Sequence, residues 1–127
     1  VLALALAACS PAAQPSPAAA IEVTLSDAMR IEPDPISVRA GVPVRFVITN
    51  TGAIEHEFYL GDESAQMQHE HEMAQGGMAH DEPSGVTVAP GETEELVWTF
   101  TPGELLAGCH IPGHYPAGMK ARIVVDE

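Results

Sequence analysis

Apolar and polar positions alternate in short runs along most of the chain. IEVTL at residues 21–25 puts every second side chain on one face, as a half-buried strand does. ISVRA at 36–40 repeats the pattern. Gly41-Val42-Pro43 then marks a turn, and VRFVITN at 44–50 predicts a stronger strand. Thr51-Gly52 breaks the run and HEFYL at 56–60 resumes it. SGVTVAPGETEELVWTF predicts a strand, a Pro90-Gly91 turn and a long strand over 93–100, and residues 105–109 and 121–125 complete the set. Seven or eight short strands with turns about every ten residues predict an all-β fold, a Greek-key β-sandwich over residues 21–127. Phe46, Phe58, Trp98 and Phe100 alternate with polar neighbours and are expected in its core.

One segment departs from this rhythm. Residues 55–82 carry eight acids and no Lys or Arg, together with four of the six His and three of the five Met. Residues 64–74 could form a short helix, which Gly76-Gly77 would end. The insertion, about 62–82, reads as a mobile, solvated excursion between two strands.

Composition narrows the class. The chain has 127 residues, enough for one small domain, and a net charge of −13 from 5 Lys and Arg against 18 Asp and Glu. A nucleic-acid binder needs the opposite sign to neutralise phosphates, so no nucleic-acid partner is expected. Eleven Gly and eleven Pro disfavour a helical bundle. No apolar run approaches the roughly 18 residues of a membrane span. VLALALAAC at residues 1–9 reads as the end of an export signal, and Leu6-Ala7-Ala8-Cys9 resembles a lipobox, with Cys9 as the lipidated residue. An ordinary signal peptide that removes Cys9 is the alternative. Either places the mature protein in the periplasm or cell envelope, and the first tethers it to a membrane. Residues 10–20, rich in Pro and Ala, read as a disordered tether. A Cys9–Cys109 disulfide across such a tether is disfavoured. Cys109 is then a lone cysteine in an oxidising compartment, where coordination to a metal would protect it.

The chemistry concentrates in GCHIPGHYPAGM. Cys109, His114 and Met119 follow a Cys-x4-His-x4-Met spacing on one loop between two strands. Thiolate, imidazole and thioether are soft to borderline ligands. A second imidazole, His56 at the start of an earlier strand, completes the two-His, one-Cys, axial-Met set of an electron-transfer copper. His110 alternates away from Cys109 and is not expected to bind this metal.

This loop resembles the type 1 copper loop of the cupredoxins, the family of plastocyanin and azurin. VRFVITNTGAIEHEF resembles the strand and first His ligand of the same family. The resemblance covers nearly all of residues 21–127. It implies a Greek-key sandwich, one type 1 copper on His56, Cys109, His114 and Met119, and one-electron transfer without catalysis. The insertion resembles periplasmic cupredoxins linked to copper tolerance. Two departures stand out. Glu57 occupies the position after the first His where many small blue copper proteins have Asn. The pattern around the cysteine is Gly108-Cys109-His110 rather than His-Cys-His, so the trinuclear cluster of the oxidases is absent and an enzyme is not expected.

Met67, His69, His71, Met73, Met78 and His80 read either as a looser auxiliary copper site or as incidental residues of a solvated acidic loop. The apolar surroundings of His114 (Ile111, Pro112, Tyr115, Pro116) would admit electrons from a redox partner such as a cytochrome or copper oxidase. The acidic surface would steer a basic partner, or serve solubility alone. Single-electron transport is the expected role, with copper tolerance as the alternative, and the two can both hold.

Overall fold

A computed structural model describes residues 19–77 and 81–127. The export-signal, lipidation and most of the tether expectations lie outside these residues, as do Met78 and His80. Among the described residues, nine strands form two sheets. The first has the order β2-β1-β4-β7, from β1 (Ala19–Ser26), β2 (Arg30–Glu32), β4 (Pro43–Asn50) and β7 (Thr93–Thr99). The second has the order β3-β9-β8-β5-β6, from β3 (Ile36–Arg39), β5 (His56–Gly61), β6 (Gly85–Val88), β8 (Leu105–Gly108) and β9 (Lys120–Asp126). The chain crosses repeatedly between sheets, so sequence neighbours such as β4 and β5 face each other across the core. The extra strand over the expected count is β2. Its three residues are too few to show an alternation.

Alternation determines the core. In β4, Val44, Phe46 and Ile48 point inward between partly exposed neighbours. Phe46 packs against Phe58 of the other sheet at 5.4 Å between ring centroids and edge-on against Phe100 at 6.1 Å. Such pairs add about 0.5–1.5 kcal/mol to simple burial. Trp98 only borders this cluster, because β7 is a sheet edge and leaves it half-buried.

The helical part of the insertion is not wholly the solvated excursion that its composition suggests. Its helix α1 (Glu63–Ala74) starts where the Asp62 side chain accepts a hydrogen bond from the Ala65 N–H, and it packs on β5 and β8. Gln66, His69 and Met73 are buried at spacings of three and four, one face of a helix. That face is mainly polar, so a search for apolar periodicity passes over it. Among the described residues, no helix is long and apolar enough to cross a membrane.

Candidate metal centre

Three elements at one end of the sandwich converge on Cys109. His56 opens β5, Cys109 directly follows β8, and His114 lies on the loop that returns to β9. β5 and β8 are antiparallel neighbours, which brings residues 53 apart in sequence side by side. The loop is tied across its base: the Cys109 N–H donates to the Met119 carbonyl at 3.1 Å, and the Met119 N–H to the His114 carbonyl at 3.1 Å. Gly113 and Gly118, at φ 90° and 100°, provide left-handed corners that side-chain-bearing residues resist. Met119 is fully buried on the same loop.

The ligand atoms meet in a tight group. Nδ1 of His114 is 3.3 Å from the Cys109 sulfur and Nδ1 of His56 is 4.0 Å from it. One donor atom from each of the three residues falls within 4.8 Å of the other two. An ion bonded in a trigonal plane at about 2.0 Å to nitrogen and 2.3 Å to sulfur holds those atoms roughly 3.7 Å apart. The observed separations bracket that span, so the residues fit a metal. Burial pushes the Cys109 thiol up to about 12, against the N–H groups of Glu57 and Ile111, which favour the thiolate. A cation in the group would supply the missing compensation. Burial, and then the nearby His56, lowers the pKa of His114, favouring the neutral imidazole that a metal needs.

A second layer of side chains fixes this group. Nε2 of His56 lies 2.9 Å from Oδ1 of Asp27, which leaves Nδ1 directed at the sulfur. Asp27 also accepts from the Ala53 N–H at 2.7 Å. That bond, followed by the His56 bond, holds its carboxyl below the usual value. Asn50, fully buried at the end of β4, donates to the carbonyls of Ile54 and Val88 and accepts from the Gly52 N–H. It thereby shapes the bend that delivers His56. The Glu57 N–H donates to the Cys109 sulfur at 3.3 Å, and the buried Glu57 carboxylate accepts from the His110 N–H at 3.0 Å.

The auxiliary grouping is not assembled among the described residues. His69 and Met73 face the domain, whereas Met67 and His71 face solvent. Nε2 of His69 is 2.6 Å from the Glu57 carboxylate, and the His71 ring meets the Gln75 side chain. Among the described residues, His56, Cys109 and His114 are the only group of three or more His, Cys, Asp or Glu side chains close enough together to share an ion. His110, outside that group, is fully buried. Its ring nitrogens face Oε2 of Glu70 at 2.7 Å and Oε1 of Gln66 at 2.6 Å.

Sequence reasoning overlooked Asp27, Asn50, Gln66 and Glu70. The phase of β4, which puts Asn50 on the same face as Phe46 and Ile48, would have revealed the second. The spacing of Gln66, His69 and Glu70 along α1 would have revealed the last two.

Comparison with known proteins agrees with this architecture. Residues 1–125 match the family model described as a cupredoxin-like domain. A copper-resistant cuproprotein CopI of Rubrivivax gelatinosus is 47% identical over 107 residues, covering 83% of this chain and 65% of that protein. One from Vibrio cholerae is 42% identical over 106 residues, covering 81% and 63%. The chain thus spans a little under two thirds of the length of these two relatives. Auracyanin of Roseiflexus castenholzii superposes with a TM-score of 0.75 at 22% identity, over 85% of this chain and 97% of that one. An azurin of Methylomonas sp. strain J superposes with a TM-score of 0.72 at 18% identity, over 87% and 99%. The chain belongs to the cupredoxin-like domain family.

Proposed function

We propose that this protein is an exported copper-binding cupredoxin of the cell envelope that serves copper resistance through one type 1 centre. The observation that carries the reading is the convergence of His56, Cys109 and His114 beside the buried Met119. Cys109, His56 and His114 would hold the copper strongly, and Met119 would hold it weakly. When bound, copper supplies one-electron chemistry between Cu(I) and Cu(II). The protein's part is to hold the buried His56, Cys109 and His114 donors close together, with Met119 buried on the same loop. Relatives of 39–47% identity named as copper-resistant cuproproteins support the resistance role.

Electron carriage is the second reading, and the two share a site. It is favoured by the placement of His114 next to exposed Pro112 and Pro116, where a redox partner can approach. A net charge of −13 would steer a basic partner such as a cytochrome. We read the chain as a carrier or binder rather than an enzyme, since Gly108-Cys109-His110 lacks the flanking His pair of the oxidases.

The test is titration of the full chain with Cu(II), followed by optical and EPR spectroscopy beside a Cys109→Ser variant. An intense visible thiolate-to-copper band that saturates at one equivalent and vanishes in the variant is expected. No such band in the wild type refutes the reading. Expression of both proteins in a copper-sensitive bacterial host then separates the roles. Restored growth on copper with the wild type but not the variant supports resistance; electron exchange with no effect on growth supports carriage.

A further inference from the structure

Helix α1 presents to the sandwich a face that is costly to bury. Gln66 and His69 are buried and Glu70 is half-buried, where apolar side chains would pack at no polar cost. Each of these polar groups is matched, and the matches lead to the thiolate ligand. Nε2 of His69 donates to the Glu57 carboxylate at 2.6 Å. The other oxygen of that carboxylate accepts from the N–H of His110, the residue after Cys109, at 3.0 Å. The N–H of Glu57 itself donates to the Cys109 sulfur. Glu70 and Gln66 grip the His110 ring from both sides. The amide of Gln66 also donates to the Leu106 carbonyl at 2.9 Å and the Tyr59 carbonyl at 3.1 Å, bridging β8 and β5.

Packing reinforces the network. The Tyr59 ring stacks on His69 at 4.2 Å, and the Tyr115 ring stacks on His110 at 4.5 Å. Gly108 leaves room for it: a Cβ there would lie 2.5 Å from the Gln66 side-chain oxygen and 2.9 Å from the Tyr115 ring.

We infer that the polar face of α1 is a brace for the copper thiolate, with His69 and Gln66 as positioning residues that act through Glu57 and His110 on the backbone carrying Cys109. The inference rests on the copper reading above and gives the insertion a role other than auxiliary metal binding. The carboxylate pins the chain on one side of the sulfur, the Glu57 N–H pins the sulfur itself, and α1 holds the carboxylate. The brace thus restrains the Cys109 side chain.

The test uses the full chain with His69→Ala, His69→Gln, Gln66→Met and the solvent-facing control Met67→Ala. Gln at position 69 retains an N–H donor toward Glu57; Ala does not. In the metal-free protein, amide hydrogen exchange of His110 should be roughly tenfold faster in His69→Ala, near wild type in His69→Gln and unchanged in the control. In the copper-loaded protein, His69→Ala and Gln66→Met should still bind one equivalent. Their thiolate-to-copper bands and EPR copper hyperfine splitting should shift, and His69→Gln should restore them. If His69→Ala does not fold, Gln66→Met carries the comparison, since it keeps the bulk and removes the hydrogen bonds. A loaded His69→Ala or Gln66→Met protein with wild-type spectra and wild-type exchange overturns the brace. A wild-type protein with no thiolate band overturns the copper reading instead, and the exchange measurement still reports on the brace alone.

Discussion

Oδ1 of Asp27 lies 2.9 Å from Nε2 of His56, on the side of the imidazole away from the Cys109 sulfur. Asp27 sits in the turn after β1, where Met29 takes a left-handed backbone at φ 59°. A carboxylate behind a metal-binding imidazole fixes its tautomer and its tilt and raises its donor strength. Asp27→Ala should weaken copper binding by about 10–100-fold and favour the reduced form, because the lost negative charge stabilised Cu(II) more. Competition titration with a chelator and a redox titration check this. Unchanged affinity and potential would exclude any contribution from Asp27.

Gly52 belongs to the same relationship. A Cβ at this position would lie 1.9 Å from Oδ1 of Asp27, closer than any real contact. Gly52→Ala should displace the carboxylate and reproduce the copper-affinity loss of Asp27→Ala. The double variant should lose little more than either alone, since both remove one interaction. Additive losses would show that the two act separately.

Asn50 gives a prediction about stability. Its side-chain amide is fully buried, and it satisfies two carbonyls and one N–H. Asn50→Leu leaves those groups unpaired and should cost about 1–3 kcal/mol per orphaned group, read by urea denaturation of the metal-free protein. The loss should be accompanied by weaker copper binding, since the bend leading to His56 loosens.

Phe46 tests the core separately from the site. It is fully buried and contacts two other rings. Phe46→Ala should destabilise the domain by about 3–5 kcal/mol. Variants that remain folded should keep the thiolate-to-copper band of the wild type. A lost band in a folded Phe46→Ala protein would show that core and metal group are not independent.

The parts of the fold that were legible in the sequence follow from period. Strands with one apolar face declare themselves, and Val44, Phe46 and Ile48 do so plainly. The Cys-x4-His-x4-Met loop was equally visible, because all three residues lie within one turn of chain. His56 was found as the first residue of its strand. The remainder of the site was not legible for two physical reasons. Asp27 reaches His56 from 29 residues away, and no spacing rule connects them. The inner face of α1 is built from Gln66, His69 and Glu70, so its burial leaves no hydrophobic stripe. Glu57 was noticed as a departure from Asn, but that its carboxylate is held by a helix could not be read without tertiary structure.

The Asp27–His56 bond also crosses from one sheet to the other. Asp27 hangs from the end of β1 and Asn50 ends β4, both in the first sheet; His56, Cys109 and the loop bearing His114 belong to the second. The hydrogen bond behind His56 therefore closes the seam of the sandwich at one end, and an ion on His56 would hold the second-sheet half of that clasp in place. An ion that binds only the folded chain adds about 4 kcal/mol when present at a thousand times its dissociation constant. Loaded protein should resist proteolysis longer than empty protein.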